Sequence, residues 1–265
     1  MLRNVKEMYG YSIQATDNEV GKVYGFYFDD QMWVIRYMVA DTGGWLSGRK
    51  VLISPTALGK PNWKEEKLPV SLTTEKVENS PGIDTDKPVS RQHERDILEY
   101  YKWPIYWDYM DYGALGAVGT RVQDLEAAKK AEEKASEKKE EKEKGDCHLR
   151  NTREVNGYSI QAADGEIGHV DDFIVDDEDW TIRYMVVDTR NWLPGKKVLV
   201  SPQWVEKVEW SGRKVYVNLP RKAIENSPEF DPSSPVNRDY ENRLYDYYDR
   251  RKYWTETLER RKEAG

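Results

Sequence analysis

The chain carries a near-copy of itself. Tyr11-Ser12-Ile13-Gln14-Ala15 returns as Tyr158-Ser159-Ile160-Gln161-Ala162, and Ile35-Arg36-Tyr37-Met38-Val39 returns as Ile182-Arg183-Tyr184-Met185-Val186, both at an offset of 147 residues without a gap. Between positions 11–55 and 158–202, 28 of 45 residues are identical, which chance does not produce. Farther on, Trp63 matches Trp210, Asn79-Ser80-Pro81 matches Asn226-Ser227-Pro228, and Tyr106-Trp107 matches Tyr253-Trp254. Whatever one unit folds into, this chain must build twice. The division this predicts is a first repeat with its tail over 1–112, a charged linker over 113–147, and a second repeat with its tail over 148–265.

The second copy shows most clearly what one unit is. Gly165-Glu166-Ile167-Gly168-His169-Val170 leads from a turn into a strand that continues through Phe173-Ile174-Val175. The acidic run Asp176–Asp179 supplies turn chemistry. Trp180 to Val187 is the strongest strand signal, with Trp180, Ile182, Tyr184 and Val186 on one face and Thr181, Arg183 and Met185 on the other. Lys197-Val198-Leu199-Val200 is a further strand stopped by Ser201-Pro202, and Ser211-Gly212 turns a hairpin between 205–210 and 214–219. Five or six short strands without an intervening helical pattern predict a mainly β fold, a small closed barrel in each repeat. After Pro232-Ser233-Ser234-Pro235, Asn237 caps a helix with Tyr240, Leu244, Tyr247 and Tyr248 on one face, matched from Ser90 by Ile97, Leu98 and Tyr101. Each barrel is thus expected to carry a helical tail.

Between the copies, 121–146 holds eight Lys/Arg, nine Asp/Glu and no aromatic residue. Thr120-Arg121-Val122-Gln123 has capping-box spacing, and Glu126/Lys130 and Glu140/Lys144 stand at i,i+4. No apolar a/d stripe runs through it, so the expectation is a solvated helical linker rather than a coiled coil.

Several function classes fall away on composition. The formal charge of −7 argues against a general polyanion binder, whose affinity rests on clustered cations. Cys147 is the only cysteine, so neither an internal disulfide nor a Cys₂ zinc site can form, and three histidines are too few for a His-rich metal centre. No apolar run approaches the roughly 20 residues of a membrane span, and residues 1–7 lack a secretory apolar core. A cytoplasmic protein without a cofactor is the expectation.

The stretch Asp164-Gly165-Glu166-Ile167-Gly168-His169-Val170-Asp171-Asp172-Phe173, followed by the acidic turn and Trp180-Thr181-Ile182-Arg183-Tyr184, resembles the PRC-barrel domain. That family includes the cytoplasmic domain of the photosynthetic reaction-centre H subunit and the C-terminal part of a ribosome-maturation factor. Asp188 to Pro202, Asn226-Ser227-Pro228 and Pro235-Val236 look like its bacterial stand-alone branch, which often occurs as tandem barrels. The first copy departs at Asn18, in place of the turn glycine, and at Tyr24-Gly25, where the second has Asp171-Asp172. The resemblance implies two tandem small PRC-type β-barrels and, since members serve as assembly modules, interaction rather than catalysis.

The residues themselves point the same way. The acidic run from Asp171 to Asp179 lacks EF-hand spacing and reads as a solvated hairpin turn rather than a calcium site. Ser54 and Ser201 precede proline with no G-x-S-x-G around them, His169 is Lys22 in the first copy, and Cys147-His148 sits in a polar linker. The Trp-Leu pairs Trp45-Leu46 and Trp192-Leu193 read either as loop anchors for a partner or as plugs folded onto a barrel end or the tail helix, and the tails ending at Trp107 and Trp254 as further candidate contacts. The expectation is a non-enzymatic interaction or scaffold protein that engages an unidentified protein partner or self-associates as a homo-oligomer. An RNA- or ribosome-associated factor using the basic tail Arg250-Arg251-Lys252 and Arg260-Arg261-Lys262 is the alternative, and an unrecognised hydrolase the third reading.

Overall fold

The computed structural model describes residues 1–43, 49–85, 87–107, 148–189 and 196–255. The linker over 113–147, and with it the expected linker helix, lies outside the described residues.

The first repeat builds β1 (Leu2–Asn4), β2 (Ser12–Gln14), β3 (Glu19–Asp29), β4 (Val34–Asp41), β5 (Lys50–Ile53), β6 (Lys67–Pro69), α1 (Thr74–Glu78), β7 (Gly82–Ile83) and α2 (Arg91–Tyr101). The second builds β8 (Leu149–Asn151), α3 (Thr152–Val155), β9 (Ser159–Ala162), β10 (Gly165–Asp176), β11 (Ile182–Asp188), β12 (Lys197–Val200), β13 (Val205–Glu209), β14 (Lys214–Val217), α4 (Arg221–Glu225) and α5 (Arg238–Tyr247). The long strands form where β-branched and aromatic residues run together, and both tail helices start at side-chain caps. Ser90 Oγ accepts from His93 N at 3.3 Å, and Asn237 Oδ1 from Tyr240 N at 2.9 Å.

The strands make two seven-stranded sheets, and each borrows one strand from the other repeat. The first runs β6-β2-β3-β4-β5-β7 with β8 on β3; the second runs β12-β11-β10-β9-β14-β13 with β1 on β10. The exchange is reciprocal to the residue. Leu2, Arg3 and Asn4 face Asp176, Val175 and Ile174, while Leu149, Arg150 and Asn151 face Asp29, Phe28 and Tyr27. Both three-residue strands read Leu-Arg-Asn, so one local sequence solves the same pairing problem twice.

Neither sheet closes into the barrel that the strand count suggests. The ladder ends at β12 and β13 in the second sheet, and at β6 and β7 in the first. The reason lies in Ser54-Pro55 and Ser201-Pro202. A proline cannot donate to a ladder, so the chain leaves β5 and β12 into a single 3-10 turn capped by the serine hydroxyl. Trp204, the last residue of that turn in the second repeat, is buried against the rings of Tyr245 and Tyr248. Gly21 and Gly168 mark another tight passage: at φ 129° and 149°, a Cβ on either would run into the carbonyl of Asp41 or Asp188.

Both faces of the long strands are covered, so Met185, assigned by alternation to the opposite face from Tyr184, is buried as fully as Tyr184. The inner faces of the two sheets share one core, in which Phe28 and Phe173 meet at 5.5 Å between ring centres and Phe26 and Trp180 at 5.9 Å. Tyr27, Tyr37, Val39 and Leu52 form a second cluster beneath Ile97 and Tyr101 of α2. On α5 the buried face is Tyr240, Glu241, Leu244 and Tyr245; Tyr247, expected on that face, lies at its edge and is 41% exposed, its hydroxyl donating to Ala223 O at 2.9 Å.

Candidate functional site

The repeats meet at a pseudo-two-fold axis. Val34 pairs with its own counterpart Thr181 in an isolated antiparallel bridge. On either side Ile35 N donates to Trp180 O at 2.9 Å and Ile182 N to Trp33 O at 2.8 Å. Trp33 and Trp180 hold φ at 54° and 58°, a left-handed conformation that a bulky residue adopts only under constraint. The constraint is visible: each tryptophan N–H donates at 2.8 Å to the carbonyl of Asp29 or Asp176, closing the tight turn that carries it into the seam.

Two clefts flank this axis. The larger, about 360 Å³, is walled by Met32 and Trp33 from the first repeat and by Arg183, Ser201, Pro202 and Tyr253 from the second. Its counterpart, about 190 Å³, takes Asp179 and Trp180 from the second repeat and Arg36, Ser54, Pro55 and Tyr106 from the first. The arginine stacks on the tyrosine in each: the guanidinium carbon of Arg36 lies 4.1 Å from the Tyr106 ring centre, and that of Arg183 4.5 Å from Tyr253. A carboxylate steadies each cation, Asp29 at 3.6 Å from Arg36 and Asp176 at 3.4 Å from Arg183. The planar guanidinium suits this arrangement, because it can stack and pair at once.

Behind each cleft sits a buried glutamate. Glu94, wholly buried on α2, accepts from Tyr106 Oη at 2.7 Å and lies 3.4 Å from Arg91 Nη1. Glu241 on α5 accepts from Tyr184 Oη at 2.7 Å, from Tyr253 Oη at 2.8 Å and pairs with Arg238 at 2.9 Å. Burial drives the Glu94 carboxyl up to about 7, against the opposing pull of the Tyr106 hydroxyl, Arg91 and Tyr37. The tyrosine hydroxyls around both glutamates are pushed far above their ordinary value by burial first, followed by the carboxylate at Tyr106 and Tyr253 and by Tyr245 ahead of Glu241 at Tyr184. One member has no counterpart: His148 Nε2 stands 3.1 Å from Tyr106 Oη and 3.6 Å from Glu94 Oε1, whereas position 1 holds methionine. His148, expected in a solvated linker, is buried here because it leads directly into the exchanged strand β8.

Trp107 and Trp254 close these clusters. Trp107 is buried with Arg91 4.3 Å from its ring centre; Trp254 is half-buried against Tyr245, with Arg238 at 4.2 Å. Both serve as packing shelves for the arginines. Trp45, Leu46, Trp192 and Leu193 lie outside the described residues. The residues missed by motif reading are Arg91, Glu94 and Tyr106 with Arg238, Glu241 and Tyr253. The signal was present: Glu94, Ile97, Leu98 and Tyr101 fall on one helical stripe, and a charged residue repeats at that apolar position at offset 147.

The acidic run is paired by residues of both repeats. Asp171 pairs with Lys6 at 3.0 Å and Lys197 at 2.6 Å, Asp172 accepts from Lys6 N at 3.2 Å, and Asp177 N donates to Met1 O at 3.0 Å. Burial pushes the Asp172 carboxyl up to about 7 despite the backbone N–H groups of Phe173 and Lys6. In the basic tail, Arg250 donates to Asn218 O at 3.3 Å and Lys252 pairs with Asp246 at 2.7 Å. No helix among the described residues is long and apolar enough to cross a membrane.

The PRC-barrel domain profile matches residues 150–224, which is the sheet-forming part of the second repeat. The first repeat is tied to it by the internal identities rather than by a match of its own. No curated protein matches the chain.

Proposed function

We propose that this chain is a non-enzymatic interaction protein made of two tandem PRC-type repeats, which presents one partner with the paired clefts at its seam. The observation that carries the reading is the repetition of Arg36, Ser54, Pro55 and Tyr106 as Arg183, Ser201, Pro202 and Tyr253, walling two clefts about one pseudo-dyad. Two like clefts on one body suit bivalent capture of a repeated or dimeric target, where the second contact gains from effective concentration. An arginine stacked on tyrosine beside an exposed methionine is also the composition of a protein-binding surface. The non-enzymatic reading rests on the serines: Ser54 and Ser201 spend their hydroxyls capping 3-10 turns rather than facing a base. The RNA reading gains nothing from the described part of the tail, whose Arg250 and Lys252 are used internally.

Charges placed on the exposed rims test this. Met32→Glu blocks the larger cleft and Thr56→Glu the smaller, and neither side chain is buried. The partner retained by wild-type protein from native cell extract, identified and then repurified, should bind each single variant more weakly and the double variant not at all, at unchanged thermal midpoints. Undiminished binding by the double variant would move the contact elsewhere. Turnover in a hydrolase panel that vanished in Glu94→Gln or Glu241→Gln would overturn the non-enzymatic reading.

A further inference from the structure

The two exchanged arms are anchored differently. Around β8, His148 O accepts from Asp30 N at 3.0 Å, Arg150 Nε donates to Asp30 Oδ2 at 2.9 Å, and Leu149 packs with Ile97 and Tyr101 of α2. The buried imidazole of His148 adds a contact that the β1 arm lacks. Its Nε2 stands 3.1 Å from Tyr106 Oη and 3.6 Å from Glu94 Oε1, while Tyr106 Oη donates to Glu94 Oε2 at 2.7 Å. One wholly buried carboxyl of the first repeat thus meets the arm of the second. At the matching position the other arm has Met1, 60% exposed, and Glu241 takes Tyr184, Tyr253 and Arg238 from its own repeat. The remaining charged and titratable groups around Glu94 and Tyr106 come from α2, β3 and β4. Arg91 lies 3.4 Å from the carboxyl, Tyr37 stands on β4, and Asp29 of β3 pairs with Arg36 of β4 at 3.6 Å.

We propose that Glu94, Tyr106 and His148 form a proton-operated latch on the exchanged arm, closed when the buried carboxyl holds a proton and loosened when that proton passes to solvent. A protonated carboxyl is neutral and loses little when the arm seals it from water. A carboxylate in the same place gives up its hydration, and the Tyr106 hydrogen bond and the Arg91 charge do not make up for it, so burial drives the carboxyl upward. With the arm closed the carboxyl sits at about 7, against 4.5 in water. The proton therefore favours closure, and that share is lost as pH rises from about 4.5 through 7. The latch stands whether or not the seam clefts bind a partner.

The test is amide hydrogen exchange on the full chain at pH 6, 7 and 8, followed by NMR, with each rate divided by its intrinsic value. Protection of the amides in 149–151 should fall roughly tenfold from pH 6 to pH 8. It should also stay below that of 184–187 throughout, the mark of a local opening rather than global unfolding. Glu94→Gln should hold the protection of 149–151 level across the same range. His148→Met, which gives this arm the side chain of its counterpart, should do so with the carboxyl still present. Protection that stays level in wild type, that falls equally in Glu94→Gln, or that equals that of 184–187 at every pH would each overturn the latch. An undiminished fall in His148→Met would overturn it as well, since the arm would then follow the proton without its histidine.

Discussion

Phe28 and Phe173 make the most informative pair to remove, because the two rings join the repeats within one core. Both are fully buried, and their centres lie 5.5 Å apart with planes inclined at 50°. Truncating either to alanine leaves a ring-sized void and should cost about 3–5 kcal/mol. For a cooperative unit of this size, that is a fall in thermal midpoint of roughly 6–20 °C. Because the rings touch, the double variant should cost less than the sum of the singles, by about 0.5–1.5 kcal/mol. Chemical denaturation followed by tryptophan fluorescence, with calorimetry beside it, measures all three terms. Each single variant should lower one shared transition, and the cycle should show that coupling. Two transitions, one lowered by Phe28→Ala and the other unmoved, would refute a shared core, since the repeats would then unfold independently.

Two further perturbations follow from the buried carboxyl and from the tight passage under β10. Glu94 carries a native pKa of about 7 against an ordinary 4.5, so the folded state binds the proton more tightly and the carboxyl's contribution is lost as pH rises from about 4.5 through 7. The stability of wild type minus that of Glu94→Gln should therefore fall across that window, by up to about 3 kcal/mol, in denaturant melts at pH 5, 6, 7 and 8; a flat difference would refute it. Gly168→Ala should destabilise by at least about 2 kcal/mol, since its φ of 149° is strained for alanine and its Cβ meets the Asp188 carbonyl; an unchanged melt would refute that packing.

Local signals carried much of this architecture. The strand 182–188, the hairpin after Trp204 and the caps at Ser90 and Asn237 follow from alternation, turn residues and side-chain chemistry acting over a few positions. The exchange of β1 and β8 does not. Three residues, Leu-Arg-Asn, are too short for a periodic pattern, and only the far strand that receives them decides where they pair. The open ladder was written in Ser201-Pro202, but a count of strands outweighed one missing donor. Alternation places Met185 opposite Tyr184 but does not tell that both faces are buried, because it marks a buried face only where the other face meets water. The glutamate clusters were within reach of the repeat comparison, which pairs Arg91, Glu94 and Tyr106 with Arg238, Glu241 and Tyr253. His148 was not, because its role depends on the arm that carries it into the other sheet.

The two repeats complete each other's sheets, and cutting the connection between them tests this most directly. A protease site inserted within 113–147 of the full chain allows cleavage after folding. Native mass spectrometry and size exclusion then ask whether the two fragments stay together. The exchanged strands and shared core predict a non-covalent complex that survives dilution and melts in a single transition near that of the uncut chain. Separation into two folded, monomeric fragments at micromolar concentration would contradict it.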